Sequence, residues 1–376
     1  MQNPLTSLQL AAGIETWMRC ESPSSSPQAI AAMVAMVEEH AKAEGLGAYV
    51  HSLGETTGPL LHISNRARDD VRSGILILGH LDTVHPFGTL QKNPCRIEGD
   101  RLYGPGGYDM KGGNYLALTA LGQLSDPGST ALPVDFLLVP DEETGSHQSR
   151  AWIERFAKQA RYALVCEPAR ADAGKCVTAR KGTGMLRLKV QGRPAHAGVN
   201  HDRGRSAIRE MAHQILALEA MTDYARGVTV SVGTIQGGTV TNTVPAECRV
   251  MVDFRVPDMA AADDILARMQ ALKPVGPDVT LDIDVELNRP PMVKTPAVAA
   301  MLARAQGWAA ESGFALDEAP MTGGGSDANF TAALGVPTLD GLGVDGDGAH
   351  TLNEYMLVST MAPRMNFWRL LLQNLD

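Results

Sequence analysis

The first part of the chain alternates helix-like and strand-like hydrophobic patterns. Apolar positions recur every three or four residues over 7–19 and 28–44, and this spacing predicts two amphipathic helices. The apolar runs GAYVHSL, LLHIS and GILILGH then have the length of strands. They are followed by the helical stretch MKGGNYLALTALGQL, the strand PVDFLLVP, a helix over about 147–159 and the strand YALVCEP. This alternation predicts an α/β domain with a mostly parallel sheet and helices on both faces.

The pattern changes in the middle of the chain. The stretch KCVTARKGTGMLRLKVQGR alternates polar and apolar residues, as a half-exposed antiparallel strand does. A helix over 203–221, two further strands, a helix over 259–272 and the strand VTLDIDVEL follow, an order typical of a two-layer α+β sandwich. We therefore predict one domain built from 1–180 and 290–376, with a second domain inserted at 181–289.

Composition and charge exclude several classes of protein. The 376 residues are 44% apolar and 20% charged, which predicts a globular protein of two domains. The net charge of −9, without a basic patch, argues against a nucleic-acid partner. No apolar run could span a bilayer, no signal peptide is apparent, and the five scattered cysteines do not suggest a disulfide framework. We expect a cytoplasmic protein with no membrane partner.

Polar clusters follow the predicted strands of the larger domain. They are GHLDTV with His80 and Asp82, GPGGYDMKGG with Asp109, PDEETGS with Asp141, Glu142 and Glu143, CEP with Glu167, and GDGAHTLNEY with His350. In open α/β sheets, ligands bind outside the carboxyl ends of the strands, so these side chains are expected to meet there. Imidazoles and carboxylates together indicate a cation, with zinc favoured and cobalt or manganese as alternatives.

Each cluster taken alone has a simpler explanation. A histidine after a strand is commonly a surface residue, and the acidic run of PDEETGS could begin a helix, where carboxylates are favourable. GPGG resembles part of a dinucleotide loop, although GxGxxG is not completed and Asp109 would repel a pyrophosphate. The occurrence of all the clusters on successive strand ends favours a metal site. We assign His147 and His201 to the surface and His85 to a structural or peripheral position.

The series HLDTV, GPGGYDMKGG, PDEETGS, CEP, PAHAG, GGGSDANF and GAHTLNEY resembles the di-zinc metallohydrolases. This family includes glutamate carboxypeptidase, acetylornithine deacetylase and succinyl-diaminopimelate desuccinylase, and the resemblance is greatest to glutamate carboxypeptidase. It extends over almost the whole chain. It implies two zinc ions per subunit, with Asp109 bridging them, His80 and Glu167 on one ion, and Glu143 and His350 on the other.

The resemblance also implies catalytic roles. Glu142 would be the general base, and Asp82 would accept the second N–H of the His80 imidazole and so fix its tautomer. In the inserted domain, His196 of PAHAG and Asn242 of TNTVP would polarise the scissile carbonyl. These two residues act partly across the interface of a homodimer in this family, which the inserted domain forms.

The resemblance also implies residues that bind the carboxylate of the substrate. Arg255 would bind the α-carboxylate of the substrate, with an exposed strand-end charge as the alternative role. Main-chain amides of the TGGGSDANF loop would approach the same carboxylate at Gly323, Gly324 and Gly325. A phosphate loop is the other explanation for this stretch, but no lysine follows the glycines.

The leaving group is suggested by two further cations. Lys175 and Arg289 fall where glutamate carboxypeptidase has cations near its pocket, although a solvated lysine and a hinge arginine are equally compatible. We predict a zinc hydrolase that releases a C-terminal amino acid, with glutamate the leading candidate, from an N-acyl or folate-like peptidyl conjugate. The alternatives are an N-acyl amino acid deacylase, an aminopeptidase, and a non-catalytic binding module, against which the retained Glu142 and Asp109 argue.

Overall fold

A computed structural model describes residues 5–67, 70–126, 128–170 and 174–376. The helices are α1 (Ser7–Met18), α2 (Pro27–Ala43), α3 (Thr89–Lys92), α4 (Gly112–Gly122), α5 (Arg150–Ala157), α6 (Ala207–Glu219), α7 (Met259–Gln270), α8 (Pro296–Glu311), α9 (Ala328–Ala333) and α10 (Met361–Asn374). The strands are β1 (Gly47–His51), β2 (Leu60–Ser64), β3 (Gly74–His80), β4 (Arg96–Glu98), β5 (Arg101–Tyr103), β6 (Val134–Val139), β7 (Ala160–Val165), β8 (Gly182–Gln191), β9 (Thr229–Gly237), β10 (Glu247–Val256), β11 (Thr280–Arg289), β12 (Thr338–Leu339), β13 (Gly346–Asp347) and β14 (Tyr355–Leu357).

A six-stranded sheet organises the larger of two compact units, which comprises 1–179, 294–322 and 326–376. Its strand order is β1-β2-β6-β3-β7-β12, in which β1, β6, β3, β7 and β12 run in one direction and β2 runs in the opposite direction. Every residue of β3 and β6 is buried, as expected for central strands covered on both faces. The predicted mostly parallel α/β fold is confirmed.

The smaller unit comprises 180–293 and 323–325. Its sheet, in the order β11-β8-β10-β9, is antiparallel throughout. Burial alternates along β8 and β10, and their inward residues pack with α6 and α7 in a separate hydrophobic core. The α+β sandwich and its predicted order of elements are confirmed. The edge strands of this sheet are β11 and β9, and β9 is mostly exposed.

Helix α10 stabilises the loops behind the candidate site. Trp368 and Arg364 are buried on this helix. Arg364 donates to the main-chain oxygens of Gly343 at 3.0 Å and Gly174 at 2.7 Å, and burial lowers the pKa of its guanidinium. The Gly343 amide in turn donates to the main-chain oxygen of Glu167 at 2.9 Å. The position of Glu167 therefore depends on a buried cation on the last helix.

One predicted strand begins later than expected. The alternating pattern from 175 predicts a single strand, but β8 starts only at Gly182. Before it, Cys176 and Val177 form isolated bridges to Glu318 and Asp340, so this segment pairs with other parts of the chain. Alternation alone cannot distinguish such a connection from a strand. None of the helices in the described part of the chain is long and apolar enough to cross a membrane.

Candidate active site

The carboxyl end of β3 carries the first candidate ligand. His80 is 1% exposed, and its Nε2 lies 3.2 Å from Asp109 Oδ1. Its Nδ1 lies 2.9 Å from the main-chain oxygen of Asp82 and 3.5 Å from the Asp82 carboxylate. The imidazole is therefore oriented by Asp82, with the main-chain oxygen as the closer of the two contacts.

The Asp82 carboxylate has partners that the sequence did not suggest. Its Oδ2 accepts a 2.7 Å hydrogen bond from the Ser24 hydroxyl. The main-chain amides of Glu142 and Glu143 donate to its two oxygens at 3.2 and 3.3 Å. Asp82 therefore holds the turn after β6 in place as well as lying beside His80. Both glutamates depend on this buried carboxylate for their position.

Asp109 lies between two imidazoles. It belongs to a tight turn over Gly107–Lys111, in which the Asp109–Met110 peptide bond is cis. Its Oδ1 is 3.2 Å from His80 Nε2, and its Oδ2 is 3.2 Å from His350 Nε2. One carboxylate thus faces a separate histidine with each oxygen, which is the arrangement of a bridging ligand.

His350 completes this side of the cluster. It adopts a left-handed backbone conformation with φ 65°, an uncommon conformation for a residue with a side chain. Its Nε2 lies 3.3 Å from Glu143 Oε2. The His350 side chain is 53% exposed and that of Glu143 is 8% exposed, so the cluster opens to solvent on the histidine side.

The imidazoles and carboxylates of the cluster shift one another's pKa values. Hydrogen bonds to Asp109 and Glu143 raise the pKa of His350 to about 10. Burial acts to lower the pKa of His80, but Asp109 and Asp82 raise it well above its usual value. Burial opposes ionisation of Asp109, yet the two histidines hold its pKa well below the usual range. Burial raises the pKa of Glu143 to about 7. Carboxylates packed this closely stay ionised together only where positively charged groups lie beside them.

The residues present fit a metal site. Ligand atoms of His80, Asp109 and Glu143 lie within 4.8 Å of one another, as do those of His80, Glu142 and Glu167. Glu143 Oε1 is buried and has no hydrogen-bond partner among the described residues. An unsatisfied buried carboxylate oxygen is costly unless a cation or donor meets it. Imidazole and carboxylate donors together suit zinc.

His196 and Asn242 are neighbours in the smaller unit. Residues around them pair in antiparallel fashion, with the Ala197 amide donating to the main-chain oxygen of Asn242 at 3.0 Å. Both residues are exposed. His196 Nδ1 accepts a 3.2 Å hydrogen bond from the amide of Gly198, which leaves its Nε2 as the outward nitrogen.

Arg255 already holds a carboxylate. Its Nε and Nη2 donate to the two oxygens of Asp253 at 2.8 and 2.7 Å, and its Nη1 lies 3.3 Å from the main-chain oxygen of Gly323. The two-pronged contact fixes the plane of the guanidinium. A substrate carboxylate would therefore meet the Nη1 edge or displace Asp253.

The remaining glycines lie against arginines of the same unit. Arg180 donates to the main-chain oxygen of Gly324 at 3.0 Å. A Cβ on Gly325 would lie 2.9 Å from Cδ of Arg289 and 3.0 Å from Cγ2 of Thr183, so a larger residue there would require these side chains to shift. Arg289 is 5% exposed and donates to its neighbour Asn288.

Lys175 belongs to the larger unit. It is half-buried, and its main chain pairs with Arg170 through hydrogen bonds of 2.8 and 3.1 Å. Within the described part of the chain, no hydrogen bond or ion pair of its side chain is found.

Sequence reasoning missed two residues behind the cluster. Glu354 is fully buried, and its carboxylate accepts hydrogen bonds from the Asp109 turn and from His85. Lys111 is also buried, its pKa is lowered to about 8 by burial, and it donates to the main-chain oxygen of Cys20. The signal for Glu354 was its place in GAHTLNEY, four residues after His350.

Residues 76–374 match the peptidase family M20/M25/M40. The chain belongs to this family. It is 31% identical over 298 residues to carboxypeptidase G2 from Pseudomonas sp. (strain RS-16), covering 77% of this chain and 71% of that protein. It is 28% identical over 327 residues to succinyl-diaminopimelate desuccinylase from Bordetella petrii, covering 80% and 82%. The structure of aminopeptidase PepT from Bacillus cereus matches with a TM-score of 0.75 at 22% identity, covers 98% of both chains and supports the fold alone.

Family membership confirms the resemblance that the motifs indicated. Members are metal-dependent hydrolases, usually with zinc, and the relatives named above are a carboxypeptidase and a desuccinylase. The M20 protein described here is accordingly a metallopeptidase or deacylase that acts on amide bonds.

Proposed function

We propose that this M20 protein is a zinc hydrolase that releases a C-terminal amino acid, with glutamate preferred, from an N-acyl or folate-like peptidyl conjugate. The observation that carries the proposal is the position of Asp109 between His80 and His350, next to the turn that bears Glu142 and Glu143. The similarity to carboxypeptidase G2 supports the carboxypeptidase direction of cleavage.

Two zinc ions per subunit are the proposed cofactors, with cobalt or manganese as substitutes. Asp109 would bridge them, His80 and Glu167 would complete one set of ligands, and Glu143 and His350 the other. The grouping of His80 with Asp109 and Glu143, that of His80 with Glu142 and Glu167, and the unsatisfied Glu143 Oε1 support a metal centre at these residues. The contacts of His350 with Asp109 and Glu143 support its place among the ligands. Bound zinc would lower the pKa of water and polarise the scissile carbonyl.

Glu142 is the proposed general base. It lies in the same turn as Glu143, and its main-chain amide donates to Asp82. The main chain from which its carboxylate extends is therefore held in place beside the cluster. Glu142 takes a proton from the attacking water and returns it to the leaving amine, so that the proton is conserved over the cycle. Asp82 is the proposed positioning residue for His80 and for this turn.

The inserted domain, proposed as 181–289, supplies the substrate contacts. His196, through its outward Nε2, and Asn242 would donate to the carbonyl oxygen as charge develops on it. Arg255 would bind the free α-carboxylate. The loop of Gly323, Gly324 and Gly325 would bring main-chain amides to the same group.

Glutamate is the proposed leaving residue because of two cations. Lys175 and Arg289 would favour an acidic side chain on the released amino acid. An N-acyl amino acid deacylase is the second candidate, which the similarity to a desuccinylase over 82% of that protein supports.

We also propose a cytoplasmic homodimer. The edge strand β9 presents unpaired backbone, with Ile235 55% exposed on it, and Leu216 is 72% exposed on α6 of the same unit. Exposed edges of this kind are suited to pairing with a second copy. Light scattering should give twice the 40.0 kDa chain mass, and Ile235→Asp should reduce it to one chain. A wild-type protein of single-chain mass would contradict the proposed dimer.

The deciding experiment is a substrate screen. The zinc-loaded protein is offered N-acyl amino acids that differ only in the leaving residue, and kcat/KM is measured for glutamate and alanine conjugates. A preference for glutamate of about 10-fold or more is expected from one charged contact. Equal values would favour the deacylase, and full activity after removal of metal by a chelator would refute the metallohydrolase.

A further inference from the structure

Each carboxylate oxygen of Glu354 accepts two hydrogen bonds. Oε1 accepts hydrogen bonds from the amides of Tyr108 at 2.9 Å and Asp109 at 3.0 Å. Oε2 accepts from the amide of Gly106 at 2.9 Å and from His85 Nε2 at 2.7 Å. A carboxylate only accepts, so the His85 proton lies on Nε2. The buried carboxylate of Glu354 thus accepts hydrogen bonds from three main-chain amides and one imidazole.

These contacts join three separate segments of the candidate metal site. His85 lies shortly after His80 and Asp82 at the end of β3. The three amides belong to the turn that carries Asp109. Glu354 itself lies four residues after His350, and its main-chain oxygen accepts from the Gly104 amide at 3.3 Å.

We propose that Glu354 is a positioning residue that, with His85, holds the three metal-ligand segments in register. The inference rests on the proposed metal centre. Glu354 contacts the main chain of the Asp109 turn, so it would act through the orientation of Asp109 and not as a ligand. Outer contacts of this kind typically change metal affinity by about 10–100-fold.

The chemistry of the acid explains why glutamine cannot replace it. In Glu354→Gln one oxygen becomes an NH2 group, which would face at least one of the four donors. A donor opposed to a donor leaves buried groups unpaired, and the turn must move to relieve this. At position 85, glutamine can offer an N–H where imidazole Nε2 lies, whereas phenylalanine fills the space without a donor.

The test measures the zinc dissociation constant of metal-stripped protein by competition with a chromophoric chelator. Glu354→Gln should weaken zinc binding by about 10–100-fold. His85→Phe should weaken it in the same direction, and His85→Gln should restore it to near the wild-type value. The matched control is Asp135→Asn, another buried carboxylate whose partners are His62, Ser64 and Arg66, at the opposite end of β6 from Glu142. It should lose stability and keep its zinc affinity.

The outcomes separate the two proposals. If the wild type binds no zinc, the proposed metal centre is refuted. If the wild type binds zinc and the zinc dissociation constant of Glu354→Gln lies within about threefold of the wild-type value, only the role of Glu354 is refuted. The same holds if Glu354→Gln binds zinc no more weakly than an Asp135→Asn variant that is equally destabilised. If Glu354→Gln does not fold, equal zinc affinities of His85→Phe and His85→Gln overturn the proposal.

Discussion

The Ser146 hydroxyl donates a 2.5 Å hydrogen bond to the Asp327 carboxylate, and both groups are buried. The bond connects the turn of Glu142 and Glu143 to the segment that follows the glycine loop. Ser146 adopts φ 54°, and its amide donates to the main-chain oxygen of Asp141 at 2.8 Å. The end of this turn is therefore fixed by side chain and main chain together.

Removing that hydroxyl should loosen the turn. We expect Ser146→Ala to lower the free energy of unfolding by about 1–3 kcal/mol, because a buried carboxylate loses a donor. kcat should fall while the fold is retained. Ser149→Ala is the matched control, since the Ser149 hydroxyl is buried and has no hydrogen-bond partner among the described residues. Denaturant titration and steady-state kinetics of both variants would check this, and equal losses would argue against the link.

Glu142→Gln should lower the turnover rate without changing zinc binding. The amide keeps the size of the side chain but cannot take a proton, so kcat should fall by about 10²–10⁴-fold. Zinc content, measured by mass spectrometry of the dialysed protein, should stay at the wild-type level. Near-normal kcat would rule out Glu142 as the base.

Arg255→Lys should damage substrate binding more than its retained charge suggests. Lysine cannot form the two-pronged contact that Arg255 makes with Asp253 or the one proposed with a substrate carboxylate. We expect KM to rise by about 10-fold or more for substrates with a free α-carboxylate. Substrates in which this group is amidated should react equally poorly with both proteins, and a lysine variant with unchanged KM would exclude the contact.

Lys175→Glu and Arg289→Gln should reveal the leaving-group preference. If these cations contact an acidic side chain, kcat/KM for the glutamate conjugate should fall by about 10–100-fold. The alanine conjugate serves as the internal control, because its leaving residue has no acidic side chain for these cations to contact. Parallel losses on both conjugates would point to a structural role, most directly for the buried Arg289.

Asp135 should make the protein sensitive to acid. Burial opposes its ionisation, but hydrogen bonds from His62 and Arg66 hold the pKa of Asp135 below its usual value. A carboxyl with a lowered pKa in the folded state stabilises the fold fully above its unfolded pKa, near 4, and progressively less as the pH falls through the folded pKa. The stability difference between wild type and Asp135→Asn should therefore shrink below about pH 4. Urea titrations over that range would show it, and a constant difference would contradict it.

Secondary structure was predicted most accurately where a hydrophobic pattern repeats within one stretch of the chain. The helices over 7–19 and 28–44 are observed as α1 and α2 within a residue of both ends, because an amphipathic period extends over several turns. Short strands such as β13 were not predicted, since two residues have no period and are defined by a partner distant in the sequence. The same limit applies to Glu354, whose partners near Asp109 lie about 245 positions away.

The candidate ligand residues were easier to recognise in the sequence than the residues that support them. A ligand has a side chain whose chemistry is visible in the sequence, and the clusters after the strands contain His80, Asp109 and His350. The support of Asp82 by Ser24 and the amides of the next turn could not be predicted in this way. Main-chain donors have no sequence signature, so such contacts emerge only in three dimensions.

The hydrophobic core of the large unit and that of the sandwich have no residue in common. An interior substitution in the sandwich, for example at Phe254, should therefore weaken that unit and leave the interior around Trp368 intact. If the sandwich supplies the proposed substrate contacts, its interior can change over evolutionary time without disturbing the unit that carries the proposed metal ligands. Divergent substrate preferences on a constant reaction centre are the expected result.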